Sequence, residues 1–200
     1  ERVVVVSGEP GAFGGNGGRV RVLDAAGDER FTMTPDSSAV QFGFMFASVV
    51  GDVNADGTAD VWSTDFADAA KGPATGRAYV VSGADGSRLL TLEGEAPGEG
   101  FGVGSARAGD VNGDGHDDIV AGAWQHASAA PSGGRIYVYS GRDGSLLRTI
   151  TGKIPGETLG FDATGTGDVN GDGKLDLLVT SAWSIVSGAQ SGRVYVVSGE

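Results

Sequence analysis

Two hundred residues are enough for one sizeable domain with a real core. Thirty-seven glycines beside 40% apolar residues point to many short strands joined by tight turns rather than to disorder, and no Gly-X-Y period is present. A net charge of −12 argues against a nucleic-acid partner, and the absence of cysteine excludes disulfides, thiolate metal sites and cysteine nucleophiles.

The chain begins in a strand-like run, Val3-Val4-Val5-Val6, which reads as a cut rather than a natural start; no signal peptide is visible at Glu1 and no apolar run approaches a membrane span. From there the sequence repeats with a period of 58 residues. Arg19, Arg77, Arg135 and Arg193 each follow a glycine and lead into Val20–Leu23, Ala78–Val81, Ile136–Tyr139 and Val194–Val197. So regular a repeat predicts a repeat architecture.

Each unit reads as four short strands. Phe101–Ala106 is an example of the first, Asp118–Ala123 and Asp176–Ser181 of the second, and the Gly-Arg run is the third. The fourth follows an Asp-Gly hairpin turn, Asp85-Gly86 or Asp143-Gly144. The second and third strands are apolar on both faces, as expected of sheets covered on each side. The predicted fold is therefore all-β: a β-propeller of four-stranded antiparallel blades, with a β-solenoid as the weaker alternative. One region fills residues 1–200, divided into a partial blade (1–34), two blades (35–93 and 94–152) and a partial blade (153–200). Open blade faces predict self-association or further blades from a longer chain.

Between the first and second strands of three units lies D-x-N-x-D-G-x-x-D. Its copies begin at Asp52, Asp110 and Asp168. Glycine at position 6 permits a tight curl, and oxygens at positions 1, 3, 5 and 9 with the carbonyl of position 7 form the all-oxygen shell that Ca²⁺ prefers. The candidate ligands are Asp52, Asn54, Asp56, Thr58 and Asp60; Asp110, Asn112, Asp114, His116 and Asp118; and Asp168, Asn170, Asp172, Lys174 and Asp176. Thr58, His116 and Lys174 would serve through their carbonyls. Three Ca²⁺ ions would offset six of the nine aspartate charges. An EF-hand is disfavoured because Ala121 stands at position 12 and strands flank the loop. The competing explanation is an Asx-rich turn without metal, against which three matched copies weigh.

The 58-residue unit, Phe42-Gly43 and Phe101-Gly102, and these loops together resemble the FG-GAP repeats of integrin α-subunit propellers and their bacterial relatives. The third unit has Leu159-Gly160 instead, and the Gly-Ala-Pro element survives only as Gly122-Ala123-Trp124 and Ser181-Ala182-Trp183. One extra residue between Gly43 and Asp52 predicts a bulge. The resemblance implies a propeller with Ca²⁺ in the hairpin between a blade's first two strands, and a role in extracellular recognition or adhesion.

The expected function is a non-catalytic, secreted or surface module that binds a protein or glycan ligand. The alternatives are a propeller domain of a secreted polysaccharide lyase or phospholipase, or a structural assembly subunit. His116 and His126 are expected to be plain surface residues, with no Ser/His/Asp spacing to recruit them. Trp62, Trp124 and Trp183 follow the second strands. Packing at a blade edge is the plainer expectation for them, while Trp124 and Trp183 are the candidates to line a sugar or peptide surface.

Overall fold

A computed structural model describes residues 4–6, 18–189 and 191–199. Among them the chain forms four antiparallel sheets. The first contains β1 (Val4–Val6), β2 (Val20–Leu23) and β3 (Glu29–Met33). The second contains β4 (Ala47–Gly51), β5 (Asp60–Asp65), β6 (Arg77–Val81) and β7 (Arg88–Glu93). The third contains β8 (Phe101–Gly109), β9 (Asp118–Ala123), β10 (Arg135–Tyr139) and β11 (Leu146–Thr151). The fourth contains β12 (Leu159–Gly167), β13 (Asp176–Ser181) and β14 (Arg193–Val197). Every sheet is a meander with strands in chain order. Residues 1–3, with Val3 of the opening run, and residues 7–17 lie outside the described residues.

Side chains on β5, β6, β9 and β10 alternate between two cores, as a period of two requires. Val61, Tyr79 and Val81 face back to Val20, Val22 and Phe42, whereas Trp62, Ala78 and Val80 face forward to Phe101, Ile119 and Tyr137. Val120, Ile136 and Val138 in turn face Leu159, Leu177 and Val179. Three cores thus lie between four sheets, and both faces of the central two are covered. The last sheet breaks the pattern. Val194 and Val196 occupy the repeat positions of Ile136 and Val138 but are 65% and 58% exposed.

Successive sheets are also joined by backbone. Leu159 N–H donates to the Gly133 carbonyl at 3.0 Å, and Gly134 forms a parallel bridge to Leu159. Glycine is required there: φ is +83°, and a Cβ would stand 2.1 Å from the Leu159 carbonyl oxygen. Phe101 docks on the Thr75 carbonyl in the same way, at 3.0 Å. The extra residue after Gly43 is taken up before β4, which starts only at Ala47. The register slip between Val49 and Gly51 recurs at the matching places of β8 and β12 and so belongs to the repeat.

Candidate functional site

The three Asp loops close the same ends of their sheets, each joining a first strand to a second. Glycine at position 6 lies at φ +86°, +87° and +85° (Gly57, Gly115, Gly173), so the expected curl forms. It brings the oxygens of positions 1 and 3 side by side on one amide. Asp114 N–H donates to Asp110 Oδ1 at 3.0 Å and to Asn112 Oδ1 at 2.9 Å. The same pair of bonds recurs at Asp56 (3.0 and 3.1 Å) and Asp172 (3.1 and 2.9 Å). Position 1 also accepts from the glycine amide, and position 5 from the amide of Thr58, His116 or Lys174. Hydrogen bonds from Asn54 and Asn170 hold the Asp56 and Asp172 carboxyls below the usual range.

Position 9 behaves differently. Asp60, Asp118 and Asp176 are fully buried. Asp118 Oδ2 accepts from Val111 N–H at 2.8 Å, and its Oδ1 accepts from Gly141 N–H, in the next hairpin, at 3.0 Å. Asp60 bonds Val53 and Gly83, and Asp176 bonds Val169 and Gly199, in the same manner. Burial raises the Asp60 and Asp118 carboxyls even though these amides favour the charged form. Position 9 is therefore a staple between its own loop and the following hairpin. Among the described residues no three Asp, Glu or His side chains gather as a metal-holding group. In donor type the loop fits a hard divalent cation, since the side chains at positions 1, 3, 5 and 9 each offer a carboxylate or amide oxygen. In shape it is a hydrogen-bonded Asx turn.

Neighbouring loops touch. His116 Nδ1 donates to the Val53 carbonyl at 2.7 Å, Asp117 N–H donates to the Asp52 carbonyl at 3.0 Å, and Asp117 Oδ2 accepts from Asp52 N–H at 2.9 Å. Arg107 pairs with Asp117 Oδ1 at 2.8 Å. Asp117 has no repeat signal, because Ala59 and Leu175 stand at its positions.

The opposite ends of the strands carry aromatic groups and the variable connections. His126 corrects the sequence expectation: it is 4% exposed, not a surface residue. Its Nδ1 donates to the buried Glu99 carboxylate at 2.5 Å, and its Nε2 lies 2.8 Å from Ser128 Oγ. Glu99 also takes the Tyr137 hydroxyl at 3.2 Å and the Glu95 amide. The Glu–Tyr pair recurs as Glu157–Tyr195, where Ser184 replaces the histidine. The shared job of this cluster is thus to latch the incoming segment onto the third strand. Trp62 also departs from expectation: it lies inside β5, fully buried, rather than after it. Trp124 and Trp183 do follow their strands and meet at 4.8 Å between ring centroids, with Phe161 4.5 Å from Trp183.

Comparison with known proteins gives a consistent picture. An FG-GAP-like repeat model matches residues 110–179. Integrin alpha-3 of Cricetulus griseus is 27% identical over 180 residues, covering 87% of this chain and 17% of its own length. Integrin alpha-PS3 of Drosophila melanogaster is 32% identical over 131 residues, covering 62% of this chain and 11% of its own. The chain therefore spans less than a fifth of these curated relatives. Among solved structures, the exotype rhamnogalacturonan lyase YesX is similar with a TM-score of 0.48 at 17% identity, over 88% of this chain and 35% of that one. No helix among the described residues is long and apolar enough to cross a membrane.

Proposed function

Because this chain is an FG-GAP-like repeat protein, similar to integrin α chains, we propose that it is a non-catalytic, Ca²⁺-stabilised β-propeller module of the cell exterior that recognises a protein or glycan. Each sheet is then a blade, and β4, β8 and β12 are the innermost strands. The forward face around Val194 and Val196 is the surface on which a neighbouring blade packs.

The observation that carries this reading is the threefold recurrence of one loop geometry at one place in the repeat. A catalytic centre needs one set of groups around one substrate, whereas a feature repeated in every complete unit belongs to the scaffold. In each loop the cation would take the carboxylates of positions 1 and 5, the amide oxygen of position 3 and the carbonyl of position 7. Position 9 would join through lone pairs its amide partners leave free. The ion would offset the repulsion between aspartates one curl apart, and three ions would cancel half of the net charge of −12.

With a Kd of about 0.1 mM, in the range of extracellular modules, about 1 mM Ca²⁺ stabilises each site by roughly 1.4 kcal/mol. Three sites give roughly 4 kcal/mol, or about 10 °C in Tm for a domain of this size. The test is a thermal melt in Ca²⁺ and in chelator, with calorimetric titration for stoichiometry. The expected result is a rise of that order and three ions bound. An unchanged midpoint with no heat of binding sinks the proposal.

A further inference from the structure

The reading as a recognition module leaves the ligand open, and the aromatic end narrows it. Between β4 and β12 lies a cleft of about 260 Å³, lined by Met45, Phe46, Ser48, Trp62, Phe161 and Asp162 together with the Ala47 backbone strand. Its size sits at the small end of ligand pockets, which suits one ring rather than a chain of them.

The polar groups of the cleft are mismatched with one another in an informative way. Trp62 is wholly buried, yet its Nε1 has no acceptor among the described residues. Indole N–H only donates, so a buried one without a partner is costly unless something arrives to accept it. Asp162 is the reverse case. It is exposed and makes no ion pair among the described residues, with one carboxylate oxygen on the Ala163 amide at 2.9 Å and the other open to a donor. Met45, 51% exposed, is the flexible part of the wall. Outward from Phe161 the rings continue through Trp183, 40% exposed, to Trp124.

A ligand that fits must present an apolar face to Phe161, an acceptor to Trp62 and a donor to Asp162. A cationic head group would stack on the rings and pair with Asp162, but it offers the indole no acceptor. A purely apolar ligand leaves both polar groups unpaired. A sugar ring has a C–H face, and each of its hydroxyls both donates and accepts. We propose that this cleft is a carbohydrate-binding site for one neutral pyranose ring, stacked on Phe161, accepting from Trp62 Nε1 and donating to Asp162. The Trp183–Trp124 ledge would carry the next sugar of a glycan.

The assignment rests on the recognition reading and is tested separately from it. The experiment is an indole ¹⁵N–¹H NMR titration of the chain in Ca²⁺, using the methyl pyranosides of glucose, galactose and mannose, N-acetylglucosamine, and tetramethylammonium as the cationic probe. The expected result is a saturable shift of the Trp62 indole resonance by at least one pyranoside and none by tetramethylammonium. Phe161→Ala should weaken that binding about tenfold, the equivalent of roughly 1.4 kcal/mol. Asp162→Asn, an exposed change that tests the site without disturbing the core, should weaken it as well. Silence of every indole signal up to ~50 mM pyranoside overturns the assignment, as does a response to tetramethylammonium alone or full binding by both variants. A chain that melts higher in Ca²⁺ yet ignores every sugar keeps its proposed function and loses this site. One that takes a sugar but ignores Ca²⁺ does the opposite.

Discussion

The two ends of the strands are built on opposite principles. At one end three loops repeat the same hydrogen bonds, with the position-9 staple measuring 2.8, 2.8 and 2.9 Å to its own loop in the three copies. At the other end each unit differs: Phe66-Ala67, Trp124-Gln125 and Ala182-Trp183 follow the second strands, and only the middle unit places a histidine against its buried glutamate among the described residues. Sameness across repeats marks what the stack of sheets needs at every step. Difference marks what no single sheet needs, and that surface is free to meet a ligand. The acidic end, which first draws the eye as chemistry, is the one built alike in each copy.

The hardest test of this contrast lies within a single loop. Asp118→Ala strands the amides of Val111 and Gly141 beside a buried site, and each unsatisfied donor costs about 1–3 kcal/mol. In chelator, where no ion contributes, denaturant unfolding should show a loss of about 3 kcal/mol for Asp118→Ala. Asp114→Ala, in the exposed part of the curl, should lose under about 0.5 kcal/mol there. Equal losses would break the distinction between staple and curl.

A smaller effect tests how far the loops are the same object. Position 4 is left-handed in all three: Gly113 and Gly171 sit at φ +76° and +78°, but the first loop holds Ala55 at +59°. An L-residue there pays about 1 kcal/mol relative to glycine, so Ala55→Gly should stabilise by roughly 0.5–1 kcal/mol, read as a raised denaturant midpoint with an unchanged m-value. A loss would mean that the first loop has adapted to alanine.

Much of this was legible in the chain itself. The 58-residue spacing and the Asp-Gly turns located the strands, and the apolar runs Val61-Trp62 and Ile136–Tyr139 announced sheets covered on both faces. The loops were legible as curls because Gly57, Gly115 and Gly173 leave few other backbone choices. What escaped was whatever depends on contacts between units. Asp117 binds the preceding loop, yet Ala59 and Leu175 at its repeat positions hide it from pattern reading. His126 looks like an ordinary loop residue until Glu99, 27 residues earlier, is brought beneath it. Trp62 falls inside its strand rather than after it because the first complete unit departs from the Gly-Ala-Trp pattern of the next.

The mildest prediction sits at the variable end and concerns slope rather than size. Asp65 closes β5, fully buried. Its Oδ2 accepts from the Val40 and Gln41 amides at 2.5 and 2.8 Å, and its Oδ1 accepts from Ala67 at 3.0 Å. Burial nevertheless pushes its carboxyl above the ordinary 3.8, with nearby Asp68 adding to the rise. Between the unfolded and folded values the native chain holds more protons than the unfolded one. Stability from this group is therefore fullest at low pH and declines as pH climbs through the raised value. Asp65→Asn removes that decline while keeping one oxygen for Val40 and Gln41. Urea midpoints followed from about pH 4 to pH 7 should show the variant gaining on the parent as pH rises. Parallel curves would mean that the three amides hold the Asp65 charge as well as water does. The 40–46 segment, with Met45 in the cleft wall, would then be anchored by a group indifferent to pH.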